Sequence, residues 1–177
     1  MQIELKLPED PETRKEINIL FVCMGNICRS PMAHGVFQSL VEKHSLQEVI
    51  GVDSAGTYAY HTGEPPDPRA RAVAAQRGYS LESLRARKVR TQDFTAFDLI
   101  LAMDRQNYED LLAHCPETRK DKVRLLLDFA RRTEREEVPD PYYGGRDGFE
   151  AVLSLIEDAC SGLLEHVRTR HALETPA

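Results

Sequence analysis

Apolar positions along the chain fall into two alternating patterns, short unbroken runs and stripes spaced three and four residues apart. Ile17 to Val22 is apolar except at Asn18, which predicts a strand buried on both faces. Met32, Val36, Phe37, Leu40 and Val41 then share one face of a helix over Met32 to Val41. A second strand is expected near Val49 to Asp53, running into Ser54-Ala55-Gly56-Thr57. Thr57 to Pro68 is too rich in Gly, Pro and Tyr for a regular element. Arg69 to Arg77 predicts a helix opened by Pro68 and stopped at Gly78. Thr91 suits the N-cap of a short turn through Asp93 and Phe94, and Leu99 to Met103 predicts a third strand. Asp104 caps a helix carrying Leu111 and Leu112, which ends before Pro116. Val123 to Leu127 is expected as a fourth strand, followed by a charged loop from Asp128 to Gly148. A last helix places Phe149, Val152, Leu153, Ile156, Cys160, Leu163, Leu164 and Val167 on one stripe.

Strands alternating with helices imply parallel pairing through right-handed crossovers. The expectation is therefore a single α/β domain, a four-stranded parallel sheet with helices on both faces. No repeat, low-complexity tract or composition shift divides it. The domain is expected over residues 17–170, between an N-terminal extension at 1–16 and a tail at 171–177. Leu5 and Leu7 suit a short edge strand, limited by Pro8 and Pro11.

The densest chemistry lies between the first strand and the first helix, in Cys23-Met24-Gly25-Asn26-Ile27-Cys28-Arg29-Ser30-Pro31. Pro31 suits the first helical position, where an N–H has no intrahelical partner. A loop of backbone amides at a helix N-terminus is a concave cradle for an oxyanion, and it favours a thiolate at Cys23. Arg29 adds a planar fork able to hold two phosphate oxygens. Gly25 allows close backbone approach, and Asn26 tolerates a left-handed backbone. A nucleophile beneath a phosphate cradle points to phosphoryl transfer through a phosphocysteine. Zinc is the other use for Cys23 and Cys28, but no second Cys or His pair follows at zinc spacing. No metal or cofactor is expected. Cys28, five residues after Cys23, is a candidate to trap an oxidised Cys23 as a disulfide, or else it simply packs.

The C-x5-R-S loop resembles that of the low-molecular-weight protein tyrosine phosphatases. Other stretches resemble the family in the same order: Val52 to Thr57, Gly63 to Ala70, Phe97 to Asp104, and Asp140-Pro141-Tyr142-Tyr143-Gly144-Gly145. The resemblance implies the phosphotyrosine phosphatase I-like fold and hydrolysis of phosphotyrosine and small aryl phosphates. It implies Cys23, Arg29 and Asp140 as the catalytic set, with phosphate held by Met24, Gly25, Asn26, Ile27, Cys28 and Ser30. Asp140 is implied as general acid, and the chemistry asks for one, since a tyrosine leaving group has a pKa of about 10. Ser30 is implied to donate to the Cys23 sulfur; a helix N-cap is the plainer reading of that hydroxyl, and both roles are compatible. Asn26 and Ser54 are implied to share a network stiffening the loop, and Tyr60, Tyr142 and Tyr143 to wall a slot for an aromatic ring. Leu84 stands where the family commonly has a histidine supporting the loop asparagine, so Asn26 is expected to be held differently, by water for instance.

Composition narrows the field further. The formal net charge of −6 argues against non-specific nucleic-acid binding and gives a phosphorylated substrate little long-range attraction. The basic string Arg85-Ala86-Arg87-Lys88-Val89-Arg90 lacks interleaved aromatics and is expected as a solvated face. No apolar run approaches the about 20 residues of a membrane span. Few cysteines, a working thiolate and no signal-peptide core predict a cytoplasmic protein. The expected partners are tyrosine-phosphorylated proteins, and the expected state is a monomer or weak homodimer. An arsenate reductase would need further cysteines within Ser80 to Arg90, which has none. A protein-arginine phosphatase would typically carry threonine where Ile27 stands, and a silent phosphate-binding module would not need the full set of Cys23, Arg29 and Asp140.

Overall fold

A computed structural model describes residues 15–173 of the chain. The Leu5–Leu7 strand and most of the expected extension lie outside the described residues. Four strands, β1 (Ile17–Cys23), β2 (Ile50–Gly56), β3 (Leu99–Ala102) and β4 (Val123–Leu125), form one sheet in the order β2-β1-β3-β4. Every pairing is parallel. Among the described residues five α-helices complete the layers: α1 (Arg29–Lys43), α2 (Pro68–Gln76), α3 (Asp93–Ala96), α4 (Arg105–His114) and α5 (Arg146–Arg170).

All seven residues of β1 are buried, because its two faces feed two cores. Ile17, Ile19, Phe21 and Cys23 join the core under α1, α2 and α5, whereas Leu20 and Val22 join the one under α3 and α4. Asn18 is tolerated in this strand because its own amide donates to Asp98 Oδ2 and its side chain to Lys15 O. The predicted stripe of α5 is buried throughout. Truncating one of its members, such as Ile156 to alanine, would cost about 2–5 kcal/mol. Gly162 lets α5 pack against the turn at Leu126–Phe129, since a Cβ there would sit 1.9 Å from Phe129 O.

Several boundaries differ from expectation, each for a tertiary reason. β2 continues through Ser54, Ala55 and Gly56 because Cys23 pairs with Gly56, which also bridges to Lys88. β4 stops at Leu125, and Leu126–Phe129 is a 3₁₀ turn; both are apolar because both are buried. Thr91 does not cap α3 with its side chain; Asp93 accepts from Arg90 N instead. Helix α1 starts two residues before Pro31, which takes its third position, still within the turn that lacks intrahelical acceptors. Helix α2 starts at Pro68, and Asp67 caps it by accepting from Arg69 N.

Candidate active site

The central position of β1 delivers Cys23 to the carboxyl edge of the sheet, where open α/β folds bind ligands. The loop that follows is clamped from outside through its carbonyls. Thr57 N donates to Cys23 O, Tyr58 N to Met24 O, and Asp67 N to Ile27 O. Its amides are spent differently: no acceptor among the described residues takes the N–H of Met24, Gly25, Asn26, Ile27 or Cys28. Five consecutive donors without partners, at the N-terminus of α1, form an electropositive nest.

Inside the loop a short chain of hydrogen bonds ends at the Cys23 sulfur. Arg87 N donates to Asn26 Oδ1 (3.0 Å), and Asn26 Nδ2 donates to Ser30 Oγ (2.7 Å). Ser30 Oγ lies 3.1 Å from Cys23 Sγ and 3.4 Å from Ala55 O. The hydroxyl accepts from Asn26 and has a single proton, which either Cys23 Sγ or Ala55 O is placed to take. Ser30 makes no capping bond, so the plainer reading of that residue is set aside. Asn26 takes the left-handed conformation expected of it (φ 57°). Gly25 does not need positive φ; a Cβ there would press on the His61 ring at 3.2 Å.

Two expectations about the support of the loop take a definite form. What replaces the histidine absent at Leu84 is the Arg87 backbone, itself fixed by Asp53 and Asp93 on its guanidinium. Ser54 bonds His34 Nδ1 at 3.1 Å, and its own N–H donates to Asp53, which holds Arg87 and through it Asn26. His34 is thereby a link that sequence reasoning missed, and burial lowers its pKa below the usual imidazole value.

Arg29 is 3% exposed and hydrogen-bonds Asp104 Oδ2 (2.6 Å) and Val138 O (3.0 Å), with Asp140 Oδ2 at 3.8 Å. Burial opposes its charge, but Cys23 and Asp104 outweigh that and raise its pKa. Asp104 was expected only as a cap. It does cap α4, through Oδ1 accepting from Asn107 N, and its other oxygen holds Arg29. The detectable signal was an aspartate directly after a core strand.

Asp140 stands on an exposed loop and accepts from Tyr142 N at 3.0 Å. It lines one cavity of about 270 Å³ together with Cys23, Met24, Ile27, Cys28, Arg29, Tyr60, Tyr142 and Tyr143, so the structure brings the predicted residues together. His61, also in the wall, was not anticipated; its Nδ1 lies 2.8 Å from Glu64 Oε2. Tyr142 and Tyr143 meet edge to face. Arg69 ties their loop down by donating to Gly144 O and placing its guanidinium over the Tyr142 and Phe149 rings, while Asp67 holds Arg69. Burial pushes the Cys28 thiol up, with Asp67 and Cys23 adding to the effect. Among the described residues no three His, Cys, Asp or Glu side chains are grouped to hold a metal ion. No helix among them is long and apolar enough to cross a membrane.

Comparison with known proteins agrees with this geometry. The family model described as low molecular weight phosphotyrosine protein phosphatase matches residues 18–173. The low molecular weight protein-tyrosine-phosphatase of Streptomyces coelicolor is 47% identical over 154 residues, covering 85% of this chain and 93% of its own. The low molecular weight phosphotyrosine protein phosphatase of Homo sapiens is 39% identical, covering 84% and 94%. A crystal structure of protein tyrosine phosphatase from Entamoeba histolytica with Hepes in the active site superposes with a TM-score of 0.83 at 45% identity, covering 88% and 98%. A cysteine above five unpaired amides, a buried arginine and a match over nearly the whole chain lead to one conclusion: this protein belongs to the low-molecular-weight phosphotyrosine protein phosphatase family.

Proposed function

We propose that the chain hydrolyses phosphotyrosine in proteins, and small aryl phosphates, through a phosphocysteine at Cys23. The observation that carries this reading is the row of unpartnered amides from Met24 to Cys28 with Arg29 beside them, around the Cys23 sulfur. Three equatorial phosphate oxygens would take those amides and the free edge of the Arg29 fork, while Cys23 Sγ attacks phosphorus from below. The ester P–O bond breaks as the S–P bond forms, and Asp140, as the acid, gives its proton to the leaving phenolate. Asp140 then takes a proton from water as that water attacks phosphorus. The S–P bond breaks, and the Ser30 hydroxyl stabilises the departing thiolate. Asp104 is a positioning residue: it fixes one nitrogen of Arg29 and leaves the rest of the fork for phosphate.

Tyr60, Tyr142 and Tyr143 line the cavity in a way that suits a flat ring, with tyrosine-phosphorylated proteins as partners. Phosphotyrosine, phosphoarginine and phosphoserine peptides assayed side by side on the purified chain test the reading. Hydrolysis of phosphotyrosine well above the other two is expected; a preference for phosphoarginine would replace this reading with the arginine phosphatase one.

A further inference from the structure

The basic string Arg85 to Arg90 is only in part the solvated face expected of it: Arg85 and Lys88 are exposed, Arg87 and Arg90 half-buried. Arg87 is structural, paired with Asp53 and Asp93. Lys88 and Arg90 are not. Among the described residues neither side chain meets a carboxylate or a hydrogen-bond acceptor, and Arg90 Nε is buried without a partner. Arg69, Arg71 and Arg87, by contrast, each face a carboxylate. In a chain of net charge −6, two adjacent unneutralised cations mark a place where negative charge is to come from outside.

That place is a cavity of about 630 Å³, lined by Lys88 and Arg90 together with Phe94 and Leu111. It shares a wall with the active site. Tyr58 lines the one and Tyr60 the other, and their rings stack at 5.6 Å and 15°. The strand register sets the distance between them. Cys23 pairs with Gly56, and Gly56 bridges to Lys88, so two parallel-strand spacings separate Lys88 from Cys23, about 10 Å. Two or three residues of extended peptide cover roughly 7–10 Å.

We propose that this cavity docks an acidic side chain of the substrate, two or three residues from the phosphotyrosine, with its carboxylate between Lys88 and Arg90. The inference rests on the phosphotyrosine reading above and adds a sequence preference to it. Asp110 also lines the cavity, and its Oδ2 is buried without a partner. A free anion would leave that oxygen unanswered, whereas a peptide N–H beside the docked carboxylate supplies the donor it lacks.

The test compares phosphotyrosine peptides carrying glutamate two or three residues before or after the phosphotyrosine with matched glutamine peptides and with p-nitrophenyl phosphate. Wild type is expected to favour one glutamate peptide by about five- to tenfold in kcat/KM at low salt, and distinctly less in about 0.5 M salt. Lys88→Met with Arg90→Met should bring the glutamate peptide down to the glutamine one while p-nitrophenyl phosphate turnover holds. If the double variant fails to fold, Lys88→Met alone decides, since that side chain is exposed; it should lose at least half of the preference. Equal kcat/KM for all glutamate and glutamine peptides in wild type, or a preference that survives Lys88→Met undiminished, overturns the docking site. Failure to hydrolyse any phosphotyrosine peptide or p-nitrophenyl phosphate would instead overturn the phosphatase reading.

Discussion

The phosphate loop and the acid loop face each other across one cavity and are held in opposite ways. Between Cys23 and Ser30 every residue but Met24 and Gly25 is buried, and the interior is tied by Asn26, Ser30, Arg87 and Asp104. From Pro139 to Gly145 every residue but Pro141 is exposed, and the segment hangs on Arg69, on Val138 and on a turn closed by Gly144 N to Pro141 O. A cradle for a dianion gains from amides already aimed, because orienting them during the reaction would cost free energy. A proton donor that also admits substrate gains from few tethers. The lesson is that damage to the first loop should be indifferent to the leaving group, and damage to the second should not.

The largest break in that contrast is expected at Cys23. Cys23→Ser should lower turnover roughly 10²-fold or more on every substrate, while vanadate binding by calorimetry persists because the amides and Arg29 remain. Residual activity of more than about one percent would remove the nucleophile from Cys23. Asp140→Asn should separate substrates: roughly 10²-fold loss on phenyl phosphate and distinctly less on a nitrophenyl ester, whose leaving group needs little protonation. Equal losses would place the acid elsewhere.

Asp104→Asn sharpens the other side. Loss of the charged partner of Arg29 should cost roughly tenfold in kcat/KM, by the same factor for good and poor leaving groups, since Arg29 acts on the phosphate. Arg69→Met should cost only about three- to fivefold, from the lost hydrogen bond to Gly144 O and the lost contacts on the Tyr142 and Phe149 rings, but concentrated on the poor leaving group as in Asp140→Asn. If its effect is uniform, Arg69 does not act through the acid loop.

The smallest effect concerns stability alone. Burial holds the His34 pKa below the unfolded value of 6.5, so the unfolded chain binds the proton more readily. Stability should therefore be full above about pH 6.5 and fall as pH drops below it, by at most about 1.4 kcal/mol per pH unit, until the folded-state pKa is reached. His34→Gln should flatten that part of the Tm-against-pH curve, and an unchanged slope would show that another group is responsible.

The fold was legible because its signals are local. An apolar run such as Ile17–Val22 can be satisfied only by burial on both faces, and the α5 stripe only by one packed side. The loop from Cys23 to Arg29 was legible for the same reason, since strand, loop and helix adjoin in sequence. Strand lengths were not. Ser54 to Gly56 belongs to β2 only because β1 and Lys88 offer it partners, and Leu126 leaves β4 although it is as apolar as Leu125. At the site, chemistry and resemblance pointed to Asp140, but nothing local joins it to a cysteine more than a hundred residues earlier. Likewise, what stands in for the histidine missing at Leu84 is the backbone N–H of Arg87, a group every residue but proline carries and no sequence pattern distinguishes. The second oxygen of Asp104 and the unpaired state of Lys88 and Arg90 are of the same kind. Residue type determines what a group can donate, accept or attack, while its partner, or the lack of one, depends on long-range packing that only the tertiary structure decides.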